Sequence, residues 1–135
     1  MNVKTFEEVR QRFLEITFEE RFDLIVAVAN GGIIPAAMLN QRLNLDMQLL
    51  KLHLRDADQK QLYDRPRLLE EIRFEVKGKK ILLVEDRVKT GTTLNYARQL
   101  LLGAGAAVVK TFAVNGNPDY CLYNEMCFRF PWRTD

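Results

Sequence analysis

Apolar residues along this chain recur in two patterns. Near-continuous runs occupy Asp23–Ala29 (Leu-Ile-Val-Ala-Val-Ala after the aspartate), Met47–Leu52, Ile81–Val84 and Ala106–Val114. Such runs predict strands buried on both faces of a parallel sheet. Helical spacing takes over between them. Phe6, Val9, Phe13 and Ile16 mark a helix over Thr5–Ile16, with Thr5 as its cap and Glu8 three residues later. A second helix runs from Ile33 or Pro35 to Leu43, with the proline near its first turn, and a third covers Leu94–Leu102 before Gly103 and Gly105. Asn115-Gly116-Asn117-Pro118 reads as a turn, followed by short apolar segments at Tyr120–Tyr123 and Met126–Phe130 and by Pro131-Trp132. Strands alternating with helices indicate an α/β protein.

The stretch Ile81–Thr93 carries the clearest chemistry: four apolar residues, the acids Glu85 and Asp86, then Arg87-Val88-Lys89-Thr90-Gly91-Thr92-Thr93 and a helix. A helix start presents unpaired N–H groups and the positive end of a dipole, which together hold a phosphate. Gly91 admits close backbone approach, and Thr90, Thr92 and Thr93 add hydroxyl donors. Carboxylates one turn away repel phosphate but accept hydrogen bonds from sugar hydroxyls. Ribose 5-phosphate satisfies both halves. The plain structural alternative is a strand that ends in acids before a threonine-capped helix. A Walker-type loop lacks support, since its glycine–lysine spacing is missing. Asp23–Ala29 repeats the architecture, with Asn30-Gly31-Gly32 leading into the second helix.

Composition narrows the class. The 135 residues suffice for one domain, with 47% hydrophobic and 28% charged residues. A net charge of +2 gives no electrostatic footprint for nucleic acid. No apolar run approaches a membrane span, and the start of the chain does not read as a signal peptide. Cys121 and Cys127 are expected as free thiols in a cytoplasmic protein. His53, the one histidine, has no partner cluster and makes no metal site. From His53 to Gly78 the chain is charged and lacks a strong period, as irregular surface or as a mobile lid.

The acidic pair, Thr90-Gly91 and Thr93 stand in the register of a known signature. Ile81–Thr93 resembles the phosphoribosyl-diphosphate site of the type I phosphoribosyltransferases, nearest their purine (xanthine–guanine and hypoxanthine) branch. The resemblance implies a single doubly wound, mainly parallel sheet flanked by helices, with the ligand at the carboxyl ends of the strands and a short C-terminal hood. It implies phosphoribosyl diphosphate and a nitrogenous base as substrates, Mg2+ as cofactor and a homo-oligomer. By the same resemblance Glu85 and Asp86 hold the ribose hydroxyls, directly or through the metal, and Thr90, Gly91, Thr92 and Thr93 hold the 5′-phosphate, while Arg87 and Val88 are further substrate-binding positions and Lys89 stands with the acids at a catalytic one. Asn30, Gly31 and Gly32 would cradle the diphosphate, with a cis bond at Ala29–Asn30. The 53–78 segment would close as a lid. In the hood, Cys127 and Phe128 are the nearest counterparts of a side chain that stacks on the base; the aromatics there equally suit a cap on the core.

Three positions depart from the family pattern. Asn30 stands where a basic residue is usual, Arg87 where an apolar one is, and Lys89 where purine-using members commonly carry an aspartate that accepts a proton at the purine N7. Three readings follow: a purine phosphoribosyltransferase, a transferase for another acceptor, and a non-catalytic regulator of the same fold that binds phosphoribosyl diphosphate or a nucleotide.

Overall fold

The computed structural model describes residues 2–53, 67–68 and 71–134. In chain order the elements are β1 (Asn2–Val3), α1 (Phe6–Glu15), β2 (Leu24–Ala29), α2 (Ile33–Leu43), β3 (Met47–His53), β4 (Arg67–Leu68), β5 (Lys80–Arg87), α3 (Thr92–Gly103), β6 (Val108–Asn115), β7 (Tyr120–Tyr123) and β8 (Phe128–Arg129). Six strands form the main sheet in the order β4-β3-β2-β5-β6-β7. All its pairings are parallel except β3 with β4. This is the doubly wound, mainly parallel sheet that the resemblance implies, with the apolar runs as its central strands.

Strand pleating explains why those runs are unbroken. Ile25, Ala27, Leu82, Val84 and Phe112 face a core shared with Val9 and Phe13 of α1 and Ala36 and Leu39 of α2. Leu24, Val26, Val28, Ile81 and Leu83 face the other way, onto Leu94, Ala97 and Leu101 of α3. Alternate residues of one strand therefore enter two different cores, and each large aliphatic side chain so buried contributes about 1.5–3 kcal/mol. The first helix starts as its sequence predicts: the Thr5 hydroxyl accepts from the Glu8 N–H at 3.1 Å, a cap of about 1 kcal/mol.

Three features differ from the sequence expectation. The β5 ladder continues through the acidic pair to Arg87, because β6 offers partners as far as Asn115 (Glu85 opposite Ala113, Arg87 opposite Asn115). A small second sheet, β1 parallel to β8, joins the start of the chain to the hood. These two-residue strands carry no apolar run to announce them. Finally, Ile72, Phe74 and Val76 alternate with exposed residues and pack on the α3-side core. The end of the charged 53–78 segment is thus fixed to the domain, and most of the expected lid lies outside the described residues. Among the described residues, no helix is long and apolar enough to cross a membrane.

Candidate active site

The chain leaves β2 for β3 and β4 on one side of the sheet, then crosses to β5, β6 and β7 on the other. The order reverses between β2 and β5. At such a switch point the connections leave in opposite directions and open a crevice at the strands' carboxyl ends. Those two ends carry the Asn30-Gly31-Gly32 turn and the Glu85–Asp86 pair.

The crevice is tight. A Cβ built on Gly31 would lie 2.8 Å from the Asp86 carboxyl carbon and from each of its oxygens. The glycine turn therefore rests directly on the carboxylate. A Cβ on Gly32 would run into the backbone carbonyls of Val84 and Val28. Gly32 is required because α2 starts against the two strands. Its N–H is already donated to the Val28 carbonyl at 2.8 Å, and the Ile33 N–H to the Asn30 carbonyl at 3.1 Å. Of the two glycines expected to cradle a diphosphate, Gly32 thus serves packing. The Ala29–Asn30 peptide bond is cis, as the resemblance implies.

Asp86 is only 7% exposed. Beside it, the Glu85 carboxylate turns back to accept the Asp86 backbone N–H at 2.9 Å. Burial first, and then the charge of Asp86, push the Glu85 carboxyl well above its ordinary value; the Arg133 guanidinium works against this. Arg133 belongs to the C-terminal tail, so the tail folds back to within electrostatic reach of the acidic pair. No sequence pattern marked it, because its position depends on the hood's path.

Beyond Arg87, Lys89, Thr90 and Thr92 are exposed and Gly91 and Thr93 half-buried, forming the turn into α3. Gly91 caps that helix at φ 81° and offers no side chain to its first turn. The Thr90 hydroxyl takes part of that role, accepting the Thr92 N–H at 3.3 Å and lying 3.0 Å from the Thr92 hydroxyl. Val88 is drawn out of the turn: its N–H is donated to the Asn115 carbonyl at 3.0 Å. Its side chain crosses at the place where Gly116 has no Cβ.

Arg87 and Phe128, both candidates for ligand contact, are bonded to each other. The guanidinium donates to the Phe128 carbonyl at 2.8 Å and lies 5.0 Å over the Phe130 ring. Phe128 itself is 1% exposed and packs edge-on against Tyr123 and Phe130. Its ring is part of the core, so no open face remains for stacking on a base. Cys127 next to it is exposed with a free thiol. Asn115, read from the sequence as the start of a turn, holds the hood instead. It is 3% exposed, donates from its amide to the Glu125 carbonyl at 3.1 Å and accepts the Glu125 N–H at 3.0 Å.

Residues 4–129 match the family described as the phosphoribosyl transferase domain. The chain belongs to the phosphoribosyltransferases. These enzymes transfer a phosphoribosyl group to a base. Adenine phosphoribosyltransferase of Treponema pallidum (strain Nichols) is 29% identical over a 140-residue alignment spanning 99% of this chain and 73% of that protein. Xanthine-guanine phosphoribosyltransferase of Idiomarina loihiensis is 26% identical over 117 residues, 84% of this chain and 72% of that protein. The fold matches that of a purine phosphoribosyltransferase from Pyrococcus horikoshii, with a TM-score of 0.81 over 99% of this chain and 94% of that one at 24% identity. In this phosphoribosyltransferase the acidic pair of the signature lies at the switch point between β2 and β5, and its threonines lie in the turn into α3.

Proposed function

We propose that this phosphoribosyltransferase uses a purine as its acceptor and Mg2+ as its cofactor, acting as a cytoplasmic homo-oligomer. The observation that carries the site is the seating of Gly31 on the Asp86 carboxylate at the switch point. It puts a backbone-donor turn, suited to the diphosphate, against an acceptor of ribose hydroxyl protons. The exposed threonine turn at the start of α3 supplies the third element, donors for the 5′-phosphate.

The reaction asks for alignment and charge stabilisation more than covalent chemistry. A base nitrogen donates its electron pair to C1′, the C1′–oxygen bond breaks with its pair leaving on diphosphate, and the nitrogen's proton is lost. Positive charge develops on the ribose ring in between. Glu85 and Asp86 fix that ring through its hydroxyls, and their negative field favours the developing cation. The N–H groups of Asn30 and Gly31 face the leaving diphosphate.

The residues fit Mg2+. Two adjacent carboxylates give hard oxygen donors, and a cation offsets the burial and the Asp86 charge that together raise Glu85. Among the described residues no cluster of three acidic, cysteine or histidine ligands forms a closed cage. That suits an ion held by one or two carboxylates together with substrate phosphates. When bound, Mg2+ supplies neutralisation of charge on the leaving diphosphate.

Exposed Lys89 favours a second reading, an anionic or more electron-rich acceptor, because a charged lysine accepts no proton from purine N7. Calorimetric titration with phosphoribosyl diphosphate, with and without Mg2+, tests the site. Diphosphate release across purine and acidic pyrimidine bases then separates the acceptors. Mg2+-dependent binding with release only on purines is the expected result. Release confined to an acidic pyrimidine would replace the purine assignment, and no binding under either condition would remove both readings.

A further inference from the structure

We propose that Arg87 is a positioning residue for the acceptor end of the site, holding the hood and Trp132 to the strand that carries Glu85 and Asp86. This rests on the phosphoribosyl-transfer reading above. The glycine turn rests on the Asp86 carboxylate, and the hood meets the same strand end through the Arg87–Phe128 bond, with Arg133 within electrostatic reach of Glu85. The proposal places the attacking base against the hood.

One side chain links the hood to the strand in two ways. The Arg87 guanidinium donates to the Phe128 carbonyl at 2.8 Å, and its plane covers the Phe130 ring at 5.0 Å. Phe130 in turn stacks on Trp132, with centroids 5.1 Å apart and planes 2° from parallel. The sequence arginine, phenylalanine, tryptophan is thus one continuous stack. A planar guanidinium can bind a carbonyl in its plane and an aromatic ring on its face at once, which a lysine ammonium cannot. The Arg87 Nε–H and the Trp132 indole N–H are both buried with no partner within the protein. The stack therefore keeps two N–H donors that make no hydrogen bond within the protein.

Trp132 is the single tryptophan of the chain, so its emission reports the hood with or without turnover. Arg87→Met keeps an unbranched apolar stem and removes both links. Its expected effects are red-shifted emission, greater acrylamide quenching, and a KM for the base raised roughly ten-fold while that for phosphoribosyl diphosphate stays within about two-fold. Arg87→Lys is expected to fall between wild type and Arg87→Met. If Arg87→Met does not fold, Phe130→Leu, which keeps the hydrogen bond and removes the ring, is measured in the same way. Unchanged emission and base KM overturn the proposal, as does an equal rise in both KM values. Loss of phosphoribosyl diphosphate binding in the wild-type protein defeats the transfer reading instead, and the emission arm still decides whether Arg87 holds the hood.

Discussion

Substituting Gly31 by alanine probes the crevice most directly. The added Cβ would lie 2.8 Å from three atoms of the Asp86 carboxylate, about 0.6 Å inside the 3.4 Å at which ordinary contact begins. Gly31 does not occupy the positive-φ region, so alanine fits its backbone and the conflict is steric alone. Asp86 is nearly buried on the strand end and has little room to retreat. Overpacking of this kind costs about 1–3 kcal/mol, or roughly 3–12 °C in Tm for a domain of this size. The functional loss should be larger in proportion. A displacement of a few tenths of an ångström to 1 Å at the group that orients the ribose lowers kcat/KM by roughly 10–100-fold. Thermal melts, titration with phosphoribosyl diphosphate and initial rates of diphosphate release measure the two effects separately. Gly32→Ala is the contrast, because its Cβ meets immovable backbone and should cost the fold itself. A Gly31→Ala protein with wild-type affinity and rate would falsify the placement of the ligand between β2 and β5.

Four other outcomes are expected. Lys89→Asp should raise purine turnover by about ten-fold or more, a modest share of what a positioned proton acceptor supplies; unchanged turnover would point to another acceptor. Asp86→Asn should keep the wild-type melt within a few degrees yet weaken Mg2+-dependent binding of phosphoribosyl diphosphate at least about ten-fold, as read by calorimetry. Asn115→Ala should lose about 1–3 kcal/mol by stripping the Glu125 backbone of both bonds, with increased quenching of Trp132. Glu85 gives a pH signature: its folded pKa lies above the ordinary 4.5, so folding takes up a proton. Its contribution is fully present below about 4.5 and is lost as pH rises toward the folded value. The stability difference between Glu85→Gln and wild type should therefore grow in the variant's favour from pH 4.5 upward, and a flat difference would show that Glu85 does not titrate there.

The apolar runs and the helical spacing between them were enough to specify the sheet and its flanking helices. Unbroken apolar runs this short suit strands buried on both faces, and helical spacing between them leaves a parallel sheet as the economical arrangement. Glycines, acids and threonines at strand-to-helix turns were legible because each type answers a local backbone or charge requirement at a fixed offset. The alternation of Ile72, Phe74 and Val76 was present to be read, though it was obscured by the charges upstream. Tertiary structure alone decided which groups are free to act. Val88 and Gly32 stand in or beside the motif, yet their backbone N–H groups are taken by Asn115 and by Val28, and one arm of the Arg87 guanidinium is held by the hood. Phe128 has the right chemistry for stacking but lies inside the core. Arg133 comes within electrostatic reach of Glu85, and Arg87 bonds the Phe128 carbonyl, where the hood folds back toward the strand ends. Such contacts join residues far apart in the chain through two-residue strands and single side chains, which leave no period in the sequence.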